Sequence, residues 1–362
     1  MNPASVDIVI PIHSGTRPLH RAVSSILDRT TAPVSVIVVV HNIDAEVIRG
    51  LLGEFRDDER VRLIELHDGI PSPAGPLNAG LDAATAPYVC VMGSDDELEA
   101  GAIDSWLALA RATGAAMAIP HVYRVGRGYD AFPPIRVGRT RDLDPVKDRL
   151  SYRSAPLGLI ERARLGDLRF TEHLKSGEDL PFTVRAWFSG HPLAFDRHGP
   201  AYLEHPDATD RVTSGGRTVD EDFAFLAHII DTPWFAALPL RERKAIVIKI
   251  IRTQIFDAIG NRLPDDRWTA EEWDALKVVL RRLSVAAPGA EKNLSRVDRD
   301  ILDRLTDEEP DREEFLRLIG ERWHYRSFRA LTPRNLLRAL DRQGPFRTLY
   351  AGLRLMTSRP AP

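Results

Sequence analysis

The sequence predicts an α/β protein: a mostly parallel sheet with flanking helices, followed by a C-terminal α-helical region. Three observations lead there. Strand-like and helix-like segments alternate with short links through about the first 120 residues. One of the strand candidates, VSVIVVV at 34–40, is apolar apart from Ser35, as expected of a strand covered on both faces. Beyond about residue 220 the strand patterns stop and apolar spacing turns helical.

The elements follow in order. VDIVIPI at 6–12 is β-branched and strand-like. Residues 18–29 carry Leu19, Ala22, Val23, Ile26 and Leu27 at helical spacing. After the strand at 34–40 comes a helix at 45–55, a strand at 61–66, and a short helix at 76–84 that starts on proline. A fourth strand is expected at 88–92, a fourth helix at 101–113 and a fifth strand at 115–120. Such alternation implies right-handed βαβ units and a parallel sheet, whose ligands bind outside the carboxyl ends of the strands.

At one such end stands VMGSDDEL, 91–98, where an oily strand runs into three adjacent acids. Neighbouring carboxylates repel and resist leaving water. A shared cation or a solvated turn would each resolve the conflict. The first strand is followed by PIHSGTRPLH, which holds neither G-x-G-x-x-G nor G-x-x-x-x-G-K-[ST], so dinucleotide and P-loop chemistry is disfavoured. Carboxylates instead supply hard oxygen ligands for Mg²⁺ or Mn²⁺, ions that bridge protein to diphosphate.

Two more stretches carry candidate chemistry. In LRFTEHLKSGEDLPFTVRAWF, 168–188, Glu178 and Asp179 precede a helical pattern. They could merely complement the helix dipole, but Gly177 frees the backbone beside them for close approach to a ligand. AYLEHPDATDRVT, 201–213, sets His205 before a proline.

These stretches together resemble family 2 glycosyltransferases of the GT-A fold, over about the first 215 residues. VDIVIPIHSGTRPLHRAVSSIL looks like the family's opening strand and helix, and GPLNAGLDAATAPYVCVMGSDDEL like its helix, strand and aspartate (DXD) motif. RFTEHLKSGEDLPFTVRAW looks like its ED motif, and AYLEHPDATDRVT like the segment with a late histidine. The resemblance implies a Rossmann-like GT-A domain at 1–215 and an inverting transferase. Its donor would be a nucleotide diphosphate sugar, usually UDP-linked, used with Mg²⁺ or Mn²⁺. It assigns the ion to Asp95, Asp96 and His205. It makes Asp179 the general base that takes the acceptor proton, with Glu178 orienting the site. Pro11, His13, Asn78, Ser94 and Asp95 would lie on the donor, with Asp68 a candidate for base or ribose. The implied acceptor is a hydroxyl of a cell-surface polysaccharide or a lipid-linked glycan.

Departures from the family pattern redirect some roles. The acid that contacts the base is absent from VHNIDAEV, leaving His41, Asn42 or Asp44. Gly93 stands where an acid often opens the aspartate motif. Leu77 replaces an arginine, passing phosphate neutralisation to Lys175 or Arg211. Two other readings stay open: a nucleotidyltransferase, and a degenerate transferase-like scaffold.

Composition excludes little else. The net charge of −3 argues against a nucleic-acid binder. Cys90 alone can form no internal disulfide, in keeping with a reducing compartment and a cytoplasmic protein. No basic-then-apolar leader is visible and no apolar run approaches the ~20 residues of a membrane span. Residues 216–323 read as about five helices (221–230, 240–259, 270–283, 295–305 and 312–322), with packing or homo-oligomerisation as their role. From 324 a basic amphipathic tail begins; residues 325–362 hold eight arginines and one acid, interleaved with leucines and aromatics. That pattern suits peripheral contact with the inner face of the cell membrane, or equally a self-packing or partner-binding helix pair.

Overall fold

The computed structural model describes residues 3–207, 216–263, 267, 269–308 and 310–358. Its strands in chain order are β1 (Val6–Ile12), β2 (Val34–His41), β3 (Val61–Leu66), β4 (Tyr88–Val91), β5 (Glu97–Leu98), β6 (Met117–Pro120), β7 (Val122–Arg124), β8 (Gly128–Tyr129), β9 (Leu159–Glu161), β10 (Leu193–Asp196) and β11 (Tyr202–Glu204). The first helices are α1 (Leu19–Leu27), α2 (Ala45–Leu51), α3 (Ala74–Ala83), α4 (Ala102–Thr113), α5 (Arg162–Leu165) and α6 (Leu180–Trp187). Then come α7 (Val219–Phe223), α8 (Pro233–Ala237), α9 (Leu240–Ile250), α10 (Phe256–Arg262), α11 (Ala270–Ala286), α12 (Arg296–Leu305), α13 (Arg312–Trp323), α14 (Phe328–Leu331) and α15 (Pro345–Met356).

The main sheet has seven strands in the order β10-β6-β9-β4-β1-β2-β3. β1 pairs in parallel with β2 and β4, and β2 with β3, as the βαβ pattern requires. β9 is antiparallel to β4 and β6. A second, four-stranded sheet runs β5-β11-β7-β8. Sequence patterning foresaw neither β9 nor this small sheet, because strands of two to four residues carry no readable period.

Both faces of the main sheet are covered, which explains the nearly continuous apolar runs. Ile8, Ile10 and Ile12 pack with Leu19, Val23 and Ile26 of α1 and Trp106 of α4. Val9, Ile37 and Val39 face the opposite way, into a cluster that continues through Phe182, Ile246, Leu276, Ile301 and Phe315. The C-terminal helices therefore share one core with the sheet. Each such side chain, fully buried, contributes about 1.5–3 kcal/mol.

Polar caps start these helices. Thr269, Ser295 and Asp311 accept hydrogen bonds from the backbone N–H groups of Glu272, Asp298 and Glu313. The segment expected as one helix over 240–259 carries a π-helical turn, Ile251–Ile255, between α9 and α10. Among the described residues no helix is long and apolar enough to cross a membrane.

Candidate active site

The parallel strands deliver their carboxyl ends to one edge, and a cleft of about 670 Å³ opens there. Pro11 and His13 line it from the end of β1, His41 and Asn42 from the end of β2, and Ser94 and Asp95 from the turn after β4. Five of the residues expected on the donor, Pro11, His13, Asn42, Ser94 and Asp95, thus line one cavity, with His41 beside them. Arg17 and His67 line it too and went unnamed in the sequence reading. The signal for Arg17 was its place in SGTRPLHR, directly after the first strand.

Asn42 sits at positive φ (56°), a conformation asparagine tolerates, and this turns its side chain back onto β3. Its amide donates to Asp68 Oδ1 at 3.1 Å, and its carbonyl oxygen accepts from the Gly69 N–H at 3.0 Å. His41 Nε2 lies 2.8 Å from Asp68. Partial burial raises the Asp68 pKa, but the Ile70 N–H and these two side chains outweigh it and hold it down at about 2. Asp44 lies elsewhere: it caps α2 by accepting from the Glu46 N–H. His41 and Asn42, rather than Asp44, therefore line the cleft at the end of β2.

Asp68 and Asn78 line a smaller neighbouring cavity of about 280 Å³, with Glu172 and His173. Asn78 is a clamp. Its amide nitrogen donates to the Phe170 carbonyl and to Glu172, each at 3.0 Å, and its oxygen accepts from the Phe170 N–H at 2.9 Å. The loop leading to Glu178 and Asp179 is thereby fixed against α3.

The acids of VMGSDDEL part company. Asp95 faces the cleft and pairs with Arg17 Nη1 at 2.8 Å, while Arg21 donates to its carbonyl. Asp96 turns inward: it accepts from the Tyr202 hydroxyl at 2.6 Å and the His205 N–H at 3.1 Å. Burial pushes its pKa up to about 6; the Tyr202 hydrogen bond opposes this and the Asp95 charge adds to it. A Cβ on Gly93 would stand 2.6 Å from Asp96 Oδ2. The inward carboxylate occupies the room an acid at 93 would need, which accounts for the glycine there.

The His205 ring lies 3.1 Å from Glu97. Among the described residues no three His, Cys, Asp or Glu side chains converge into a metal-binding group. The donor set still fits a hard cation of the Mg²⁺ kind, which keeps several waters and takes one or two carboxylates plus phosphate oxygens. Asp95 could supply the first of these, with no three-sided protein cage.

Glu178 and Asp179 line neither cavity. Burial raises the Asp179 pKa, Glu178 beside it raises it further, and Lys249 of α9 opposes both. Burial also raises Glu178. No side-chain cap bond runs from Asp179 to α6, so its carboxylate is not spent on the helix end. Gly177 is needed for a different reason than ligand approach: its φ is +74° and a Cβ there would meet Phe225 at 3.0 Å. Lys249 is 2% exposed and its Nζ has no hydrogen-bond partner among the described residues. Lys175, expected near phosphate, lines neither cavity and is engaged by Glu221. Arg211 lies outside the described residues, as does the expected domain boundary at 215.

Fold and cleft together define an α/β domain of the GT-A class. Residues 7–165 match the family model Glycosyl transferase family 2. The chain is 30% identical over 224 residues to the succinoglycan biosynthesis protein ExoO of Rhizobium meliloti (strain 1021), covering 57% of this chain and 63% of that protein. It is 22% identical over 185 residues to the poly(ribitol-phosphate) beta-N-acetylglucosaminyltransferase TarP of Staphylococcus aureus (strain N315), covering 49% of this chain and 56% of that one. The chain thus spans less than two thirds of the length of these curated relatives. In structure it resembles S. aureus TarS 1–349, solved in complex with UDP-GlcNAc, at a TM-score of 0.70 and 17% identity over 88% of this chain and 91% of that one. At this identity the likeness is one of fold, and its extent takes in the C-terminal helices.

Proposed function

We propose that the protein transfers a sugar from a nucleotide diphosphate sugar, UDP-linked, to a hydroxyl of a growing surface polysaccharide or related glycan, with inversion. The observation that carries this reading is the cleft at the strand ends, with Asn42 and His41 at one end and the Arg17–Asp95 pair at the other. The first two suit a base, and the pair suits a diphosphate. The likeness to relatives named for N-acetylglucosaminyl transfer and for succinoglycan biosynthesis supports the substrate class.

In this reading the acceptor oxygen attacks the anomeric carbon from the face opposite the diphosphate. The carbon–oxygen bond to phosphate breaks, and its electron pair leaves with the nucleoside diphosphate. Arg17 lies where that charge grows, and a divalent ion beside Asp95 would neutralise more of it. Asp179 receives the acceptor proton, and Glu178 helps orient the acceptor. Burial makes Asp179 a stronger base than a solvated carboxylate, while Lys249 limits the rise in its proton affinity.

Calorimetry tests the donor half. UDP should bind, more tightly with Mn²⁺ than without, and Asp95→Asn should abolish the metal dependence. Equal binding of UDP, GDP and ATP, or none, would contradict the assignment; metal dependence that survives in Asp95→Asn would move the ion elsewhere.

A further inference from the structure

The C-terminal segment leaves an apolar surface uncovered. Phe328 is 62% exposed, Leu337 92% and Leu340 63%, and Phe346, Tyr350 and Leu353 are about half exposed. These last three lie on α15 at i, i+4 and i+7, one outward stripe of a helix. The opposite stripe of α15, Thr348, Ala351 and Leu355, is buried against the body. Gly352 approaches Ala131 closely, and Arg197 donates to the Arg354 carbonyl at 3.0 Å. The helix is therefore already docked through its inner stripe, and self-packing does not consume the outer one. A groove of about 410 Å³ lies between the two sets, lined by Phe328, Leu331, Leu340 and Phe346 with Arg326 at its side.

Charge selects what covers this surface. Arg329 and Arg334 are tied to Asp300, and Arg338 to Asp341. Arg326, Arg342, Arg347 and Arg354 enter no ion pair among the described residues. A symmetric dimer through this face would set it against itself, arginine against arginine. Nucleic acid would answer the arginines and leave the leucines and aromatics wet. An anionic bilayer answers both, since arginines meet headgroup phosphates while the apolar side chains enter the interface.

We infer that α14, α15 and the segment between them form a peripheral docking surface for an anionic lipid bilayer. α15 packs beside β8, and β8 is the far edge of the small sheet whose other edge, β5, directly follows Asp96. Three strand spacings separate those edges, on the order of 15 Å. The bilayer would lie near enough to present a lipid-linked acceptor to the same domain.

Flotation of the full chain with vesicles tests this. The protein should float with phosphatidylcholine–phosphatidylglycerol vesicles at low salt, and float poorly with phosphatidylcholine alone or at high salt. Arg326→Gln with Arg342→Gln, and separately Leu337→Glu with Leu340→Glu, should each lower vesicle partition about tenfold or more. All these residues are exposed, and unchanged UDP binding would verify an intact fold. No flotation of the wild type, equal flotation with neutral vesicles, or variants that float as well as wild type would overturn the inference. So would variants that change only the oligomer size, which would mark a second copy as the occupant, or only retention on RNA.

Discussion

Asp95–Asp96 and Glu178–Asp179 are both pairs of adjacent carboxylates, and the fold treats them differently. At the end of β4 the pair is split: Asp95 gains a cation, Arg17, while Asp96 turns inward onto Tyr202 and a backbone N–H. Ahead of α6 both acids are half-buried together, burial and Glu178 make Asp179 harder to ionise, and relief for Asp179 comes from a lysine of α9. One pair is arranged to meet an external charge, the other to hold a raised proton affinity. Adjacent residues of one type acquire distinct chemistry from partners far away in sequence: Arg17, Tyr202 and Lys249 lie some 70 to 110 residues from the acids they serve.

Perturbing those partners breaks or sharpens the contrast. Among these partners, the largest effect on binding is expected from Arg17→Met. A hydrogen bond to a charged group contributes about 1.5–3 kcal/mol, so UDP affinity should fall roughly 10- to 100-fold, with little change in the pH dependence of turnover. Calorimetry reads it; undiminished affinity would reduce Arg17 to a structural partner of Asp95. Lys249→Met comes next. Losing the nearby positive charge lifts the Asp179 pKa further, so the acid limb of the kcat/KM profile should move to higher pH while the plateau stays within several-fold. A profile that does not move would disconnect α9 from the base.

A separate effect falls on stability rather than on activity. The Asp96 pKa rises from its ordinary 3.8 to about 6 in the folded state. Its contribution is therefore fully present below about pH 3.8 and lost as pH rises through 6, a difference of up to about 3 kcal/mol. Asp96→Asn cannot ionise. It should raise Tm by a few degrees at pH 7, and the gain should vanish near pH 4. A gain that ignores pH would assign the effect to packing.

Much of this was legible in the sequence. VDIVIPI and VSVIVVV became β1 and β2 because long apolar runs leave a chain few alternatives in a doubly covered sheet. Pro11, His13, Ser94 and Asp95 could be placed on one cleft because they follow the carboxyl ends of parallel strands. What could not be read were long-range pairings. Nothing local marks Asn78 as the clamp on the 170–172 loop, or His205 as a partner of Glu97. Lys249 looked like any residue of an amphipathic helix until burial gave it a role. The tail pattern of arginine and leucine was plain, but which leucines face outward depended on the docking of α15.

The central claim is that the donor cleft and the Glu178–Asp179 pair divide binding from proton transfer. Asp179→Asn tests it most directly, because the change keeps the shape and removes the basicity. UDP affinity and the rate of transfer from a UDP-sugar to a glycan acceptor should be measured on the same preparation. The account predicts unchanged UDP affinity and a turnover lower by about 10²- to 10⁴-fold. Near-normal transfer would contradict it, as would a loss explained entirely by weaker donor binding.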